Sequence, residues 1–136
     1  MKYYLHIIGM VILSFCSSCG DRVITVEQQL SEEAVIYPDY KGVTIPSNIA
    51  PLNFSLLDSD DAQLIIEGED GDAFQVQSKK GLFDIPQKKW KQLLNDNNGK
   101  RIKLTICKLL EGKWCALTPF YIYAHGKSSS NYRRKF

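Results

Sequence analysis

The sequence contains little histidine and few cysteines. Its two histidines, His6 and His125, lie near the two ends of the 136 residues, and Cys107 and Cys115 are the two of its four cysteines that lie beyond residue 19. Catalysis of the Ser-His-Asp or Cys-His type therefore lacks its base within the central part of the chain. A zinc site needs about four well-spaced ligands, and the chain does not supply them. We therefore expect a non-enzymatic protein without metal or cofactor.

An excess of positive charge is missing from most of the chain. Residues 19–124 contain twelve Lys and Arg against fifteen Asp and Glu, a balance of −3. The formal net charge is nevertheless +2, because Lys2 and four basic residues near the C-terminus add to it. Without a basic face, nucleic acid is not an expected partner. Residues 125–136 are predicted to form a disordered basic tail.

Long apolar runs are absent beyond the N-terminus. The first one, residues 3–13, follows a short basic start and is shorter than the roughly 20 residues that a membrane-spanning helix needs. This pattern is typical of a secretory signal. Ser17 and Ser18 directly before Cys19 favour the subtype in which the cysteine becomes the lipidated first residue. We predict a lipoprotein signal peptide at residues 1–18 and lipidation, such as by palmitate, of Cys19. A soluble secretory signal is the alternative.

This anchor makes a membrane the first expected partner. The protein is then expected in the cell envelope, attached to the inner or outer membrane on the periplasmic side or at the surface. Residues 19–36 show no sustained periodicity and are predicted to be a tether with at most a short strand or helical turn.

Strand signals recur along residues 37–124. They occupy the segments 52–56, 62–68, 73–78, 81–85, 101–110 and 113–124. The Asp70-Gly71 pair between the second and third segments is typical of a β-hairpin turn. Several short strands at this spacing predict an all-β fold, an immunoglobulin/fibronectin-like β-sandwich.

One short helix interrupts the strands. Pro86 suits a first helical position, and Trp90, Leu93 and Leu94 recur at helical spacing on one face. The Asn- and Gly-rich segment 95–99 then ends the helix. We predict Pro86–Asn95 as the one substantial helix of the domain, with Trp90 turned inward.

Three segments of the chain resemble a known family. They are IYPDYKGVTIPSNIAPLNF at 36–54, FDIPQKKWKQLL at 83–94 and PFYIY at 119–123. These resemble the N-terminal immunoglobulin-like domain of Bacteroidetes envelope lipoproteins that carry a C-terminal TolB-like β-propeller, some of them labelled cytochrome c biosynthesis proteins. The resemblance implies a domain without established catalytic residues. Because the sequence stops where the propeller would begin, the resemblance also implies that the chain is a truncated propeller lipoprotein.

Cys107 and Cys115 are candidates for a disulfide, since an oxidising envelope compartment permits one. A three-residue loop at 110–112 would place the two cysteines directly opposite each other, within disulfide distance. A two-residue Glu111-Gly112 loop would instead pair Cys107 with Ala116. The alternation of residues does not decide between the two registers, and we favour the three-residue loop.

Aromatic side chains raise the question of glycan binding. Tyr37, Tyr40, Trp90 and Trp114 are candidates for an aromatic binding surface, on which rings would stack against sugars. The first hypothesis for function is a non-enzymatic, lipid-anchored envelope module that acts as an interaction or spacer domain. The alternative is a carbohydrate-binding module of an envelope glycan system. An exposed row of rings would favour the alternative, whereas buried Trp90 and Trp114 would favour the first hypothesis.

Overall fold

The structure is a computed structural model that describes residues 22–126. The predicted signal peptide, Cys19 and residues 127–136 of the predicted tail lie outside the described residues. The described elements follow one another as β1 (Gln28–Glu33), β2 (Ile36–Tyr37), β3 (Thr44–Pro46), β4 (Phe54–Leu56), β5 (Ala62–Gly68), β6 (Phe74–Gln77), β7 (Leu82–Phe83), α1 (Gln87–Asp96), β8 (Arg101–Leu110), β9 (Lys113–Thr118) and β10 (Phe120–His125).

The larger sheet is built around the long strand β8. Strand β5 pairs with one edge of β8 in antiparallel orientation, and β6 continues the sheet beyond β5. Strands β9 and β10 share the other edge of β8, both antiparallel to it. Beyond them, β1 runs parallel to β9 and β3 runs parallel to β10.

The smaller sheet contains β2, β4 and β7 in antiparallel pairing. The two sheets pack as a sandwich, so the all-β prediction with one short helix is confirmed. Among the strands, β2, β4 and β7 take the positions of A, B and E in an immunoglobulin-like sandwich. Strands β5, β8 and the β9–β10 pair take those of C, F and G.

The core lies between the sheets because alternate residues of each strand point inward. Leu64 and Ile66 of β5 are fully buried, and β5 and β6 form the predicted hairpin. The smaller sheet contributes Phe54 and Phe83, whose ring centroids are 5.2 Å apart. Phe120 of β10 packs edge-on against Phe54 at 6.1 Å. Aromatic rings from both sheets therefore meet in the core.

Residues 113–124 form two strands rather than the single predicted strand. Between the β8–β9 and β8–β10 pairings, two residues of β8 face three residues, 117–119, of the segment that joins β9 to β10. This is a β-bulge at Pro119, which has no N–H to donate to the ladder. The bulge shifts the alternation by one position, so that Leu117, Phe120 and Ile122 are all buried.

Helix α1 covers one end of the core between β7 and β8. It spans Gln87–Asp96 directly after Pro86, so its predicted bounds are confirmed to within one residue. Its buried residues include Trp90, which is fully inaccessible and donates a hydrogen bond from Nε1 to the Ile49 carbonyl oxygen at 3.1 Å. The prediction that Trp90 points inward is therefore confirmed.

The segment predicted as a tether belongs to the domain wherever the structure describes it. Residues 28–33 form β1, Ala34 is buried in the main core, and Ile36 begins the smaller sheet. Residues 22–27, which we call the N-terminal strap, lie across the outer face of the larger sheet. The signal for this docking is non-local, because the strap bonds to Gln63 and Gln75, some forty and fifty residues away.

Candidate functional site

The outer face of the smaller sheet carries the first candidate surface. Tyr37 of β2, Ser55 of β4 and Leu82 of β7 are direct cross-strand neighbours in one row. The Leu57 backbone N–H bonds the Val35 carbonyl at 3.0 Å, which sets these two residues beside each other in the next row. Cross-strand neighbours lie about 4.5–5.5 Å apart at Cβ. We call these five residues the smaller-sheet face.

The apolar side chains of this face are open to solvent. Tyr37 is 70 % exposed, Leu57 61 %, Val35 54 % and Leu82 44 %. Antiparallel sheets that cover a core on one side usually alternate apolar residues inward with polar residues outward. Here the inward set is apolar, as expected, and the outward set is largely apolar too. Core packing therefore does not explain why the outward residues are apolar.

The N-terminal strap forms the second candidate surface. The Gln63 side-chain amide donates to the Arg22 carbonyl at 2.8 Å. The Gln75 side chain accepts from the Ile24 N–H at 2.9 Å and donates to the Ile24 carbonyl at 3.1 Å. The Glu27 N–H then bonds the Trp114 carbonyl at 2.9 Å, where the chain joins β9. These bonds replace water for a backbone that has no neighbouring strand at residues 22–24.

A second, smaller apolar cluster lies beneath the strap. Ile24 is buried there with Cys107 and Ala116, and Ile65 and Trp114 pack against them. Leu109 is the direct cross-strand neighbour of Trp114 and is exposed. The exposed apolar residues of the strap and of the strap side of the adjoining β8–β9 hairpin are Val23, Val26 and Leu109. We call these three residues the strap face.

The four aromatic residues singled out from the sequence are not brought together. Trp90 lies inside the main core, and Trp114 packs under the strap. Tyr40 packs against the main core, and Tyr37 is the one of the four that lies on the smaller-sheet face. The predicted aromatic binding surface is therefore not formed by these residues, because the helix and the strap each use a tryptophan for packing.

The two downstream cysteines are free, and the favoured three-residue loop is wrong. The turn has two residues, Glu111 and Gly112, with φ angles of 49° and 77°. Two consecutive positive φ angles are typical of a type I′ hairpin turn. This register pairs Cys107 with Ala116 and Lys108 with Cys115. The two thiols consequently lie on opposite faces of the sheet, where no bridge can join them.

The Cys107 thiol is held neutral under the strap. Burial, with a smaller contribution from Cys115, raises the pKa of Cys107 from 9.0 to about 11. The thiolate is the reactive form, so at pH 9 the folded protein should not react with iodoacetamide at Cys107. Cys115 should not react either, because its side chain is buried and closed to the reagent. Denaturation without reductant should then expose both thiols to alkylation, as read by peptide mass mapping. Leu109→Cys, exposed on the same strand, is the matched control and should react at once.

A different result would change the assignment of these cysteines. Failure of both thiols to react in denaturant until a reductant is added would show that they are joined in a disulfide.

An ion-pair cluster closes the end of the sandwich beside the β8–β9 hairpin. Lys108 Nζ lies 2.7 Å from Asp58 Oδ2 and 3.4 Å from Glu32 Oε1. Burial by itself lowers the pKa of Lys108, but the hydrogen bond and charge of Asp58, followed by Glu32, outweigh it and leave the pKa raised. Sequence reasoning missed this residue. The available signal was its place in the inward-facing series of Ile102, Leu104 and Ile106.

Two surface grooves contain polar groups without an arrangement that suggests catalysis. One, of about 660 Å³, lies between α1 and the β5–β6 turn, with Phe74 and Leu93 among its lining residues. The other, of about 370 Å³, contains the Arg101 guanidinium, 4.8 Å above the Tyr121 ring. Among residues 22–126, no group of three His, Cys, Asp or Glu side chains could hold a metal ion.

Helix α1 has ten residues, and the described part of the chain contains no helix long and apolar enough to cross a membrane. No protein-family model, curated protein or solved structure matches the chain.

Proposed function

We propose that the chain is a non-enzymatic, lipid-anchored module of a bacterial cell envelope that binds a protein partner through its smaller-sheet face. The proposal rests on the exposed apolar side chains of the smaller-sheet face. Its four apolar side chains occupy neighbouring positions on the strands of the smaller sheet or directly beside their ends, and they are 44 to 70 % exposed. Contiguous exposed apolar patches on a folded domain mark interaction sites.

The chemistry of the face favours a protein over a glycan. Val35, Leu57 and Leu82 are aliphatic, and Tyr37 supplies the one aromatic ring of the face. Branched aliphatic side chains fit the apolar core of a protein interface, but they offer no flat ring for stacking on sugars. The carbohydrate-binding alternative also loses Trp90, which is fully buried.

The lipid anchor is the second part of the proposal, and it is supported by the sequence. An apolar run of signal-peptide length ends at Ser17 and Ser18, directly before Cys19. The resemblance to the N-terminal domain of propeller lipoproteins supports the same location and an interaction or spacer role.

Two measurements in one bacterial strain test the proposal. Growth with a clickable palmitate should label the protein, and Cys19→Ala should abolish the label. A photo-crosslinking amino acid at position 57 should give a discrete adduct with an envelope protein, and Leu82→Asp should remove that adduct, because the charge disrupts the neighbouring row. The same crosslinker at Lys91, exposed on α1, is the matched control and should give no such adduct.

Equal palmitate labelling of both forms would contradict the anchor. An adduct at position 57 that is also obtained at position 91, or that survives Leu82→Asp, would contradict the assignment of the smaller-sheet face as the binding surface.

A further inference from the structure

The distance between the proposed lipid anchor and the domain is short. Two residues, Gly20 and Asp21, lie between Cys19 and Arg22, whose carbonyl is bonded to the Gln63 side chain at 2.8 Å. An extended chain covers at most about 3.6 Å per residue, so Cys19 lies within about 11 Å of Arg22. A free tether from residue 19 to residue 36 would instead reach about 60 Å. Docking of the strap removes most of that reach.

The strap also determines which side of the domain is nearest the anchor. It crosses the outer face of the larger sheet from Gln63 and Gln75 towards Trp114. The smaller-sheet face lies on the opposite side of the sandwich, beyond the core. A bilayer that holds acyl chains on Cys19 is therefore adjacent to the strap side.

The exposed apolar residues on that side suit contact with lipid. Val23 and Val26 lie on the strap itself, and Leu109 lies beside Trp114 near the tip of the adjoining hairpin. Apolar side chains on an otherwise polar surface bury themselves at the headgroup and acyl boundary. Nearby charges show no positive excess, with Arg22 and Lys113 against Asp21, Glu27 and Glu111. Contact is therefore expected to depend on apolar burial rather than on anionic lipid.

From these contacts we infer that the strap face lies against the lipid bilayer and holds the domain in one orientation, with the smaller-sheet face turned away from the membrane. This inference rests on the proposed lipid anchor and adds an orientation to it. The occupant of the strap face is a lipid surface, because the chain leads from this face to the acylated residue within about 11 Å.

Fluorescent probes on the lipidated protein in phosphatidylcholine vesicles test the orientation. An environment-sensitive dye is attached to Leu109→Cys and, in a separate sample, to Leu82→Cys on the smaller-sheet face. Native Cys107 and Cys115 are buried and do not compete for the dye. The probe at position 109 should show a blue shift and loss of emission when doxyl-labelled lipid is included. The probe at position 82 should show neither.

A strap variant tests the cause. Ile24→Asp is combined with Cys107→Ala, because release of the strap would otherwise uncover the Cys107 thiol to the dye. The charge in the cluster beneath the strap should release it, so that the probe at position 109 loses its lipid quenching while the protein still floats with the vesicles. If this variant fails to fold, the comparison of positions 109 and 82 in the unaltered background decides alone.

Several outcomes would overturn the inference. They are equal quenching at positions 109 and 82, quenching at 109 that persists in folded Ile24→Asp, and a blue shift at 109 without quenching, which indicates contact between two copies. If the intact mass shows acyl chains and the protein floats, these results contradict the orientation but not the lipid anchor. If the mass shows no acyl chain, both the lipid anchor and the orientation are contradicted.

Discussion

Replacing Trp90 with alanine should lower the free energy of unfolding by about 3–5 kcal/mol, the range for deleting a large buried aromatic side chain. The ring is fully inaccessible, and its Nε1 hydrogen bond to Ile49 ties α1 to the segment between β3 and β4. Small domains have net stabilities of about 5–15 kcal/mol. The loss would therefore remove a large share of the total, as read by urea unfolding of the purified protein.

A neighbouring position supplies the control for Trp90. Lys91 lies on the exposed side of the same helix, so Lys91→Ala should change stability by no more than about 0.5 kcal/mol. Trp90→Phe should fall between the two, because it retains most of the apolar burial but leaves the Ile49 carbonyl without its donor. A loss below about 1 kcal/mol for Trp90→Ala would show that the ring is not in the core and would restore the carbohydrate-binding alternative.

The second large effect is expected at Asn97, directly after α1. Its buried side chain accepts from the Asp70 N–H and donates to the Asp70 and Leu93 carbonyls, each at 2.9 Å. These bonds fasten the β5–β6 turn to the end of the helix. Asn97→Ala should cost about 3 kcal/mol, because each buried backbone group left unpaired costs about 1–3 kcal/mol.

Gly68 provides a sharper form of the same test. A Cβ at position 68 would lie 2.1 Å from Asn97 Nδ2, so Gly68→Ala alone should cost about 1–3 kcal/mol by overpacking. In the Asn97→Ala background the space is vacant, and Gly68→Ala should then cost much less. A double-mutant cycle from urea unfolding measures this coupling. Gly126→Ala, whose Cβ would meet no atom closer than 3.8 Å, is the matched control. Additive costs at 68 and 97 would show that a Cβ at position 68 does not meet the Asn97 side chain.

Features with local signals could be predicted from the sequence. The Asp70-Gly71 turn with alternating residues on both sides predicts the β5–β6 hairpin, and Pro86 with Trp90 and Leu93 predicts α1 and its buried face. In each case a few neighbouring residues contain the whole signal, since turn chemistry and helical spacing are short-range properties.

Features that depend on distant partners could not be predicted. Val23 and Ile24 carry no periodic pattern, and only the amides of Gln63 and Gln75 on other strands reveal why the strap is ordered. Gly112 suits both a two-residue and a three-residue turn, so the faces of Cys107 and Cys115 follow from the pairing of β8 with β9. The smaller-sheet face was missed for the same reason, because Val35, Leu57 and Leu82 become neighbours only once three distant strands pair.

The parallel pairing of β1 with β9 and of β3 with β10 also affects how the domain responds to mechanical force. A pull on the N-terminal side of β1, opposed by a pull on the C-terminal side of β10, slides these strands past each other along their length. The hydrogen bonds between them then share the tension, whereas strands pulled apart from one end would lose their bonds one after another. The fold is thus arranged to transmit tension between its two ends with its terminal strands loaded in shear.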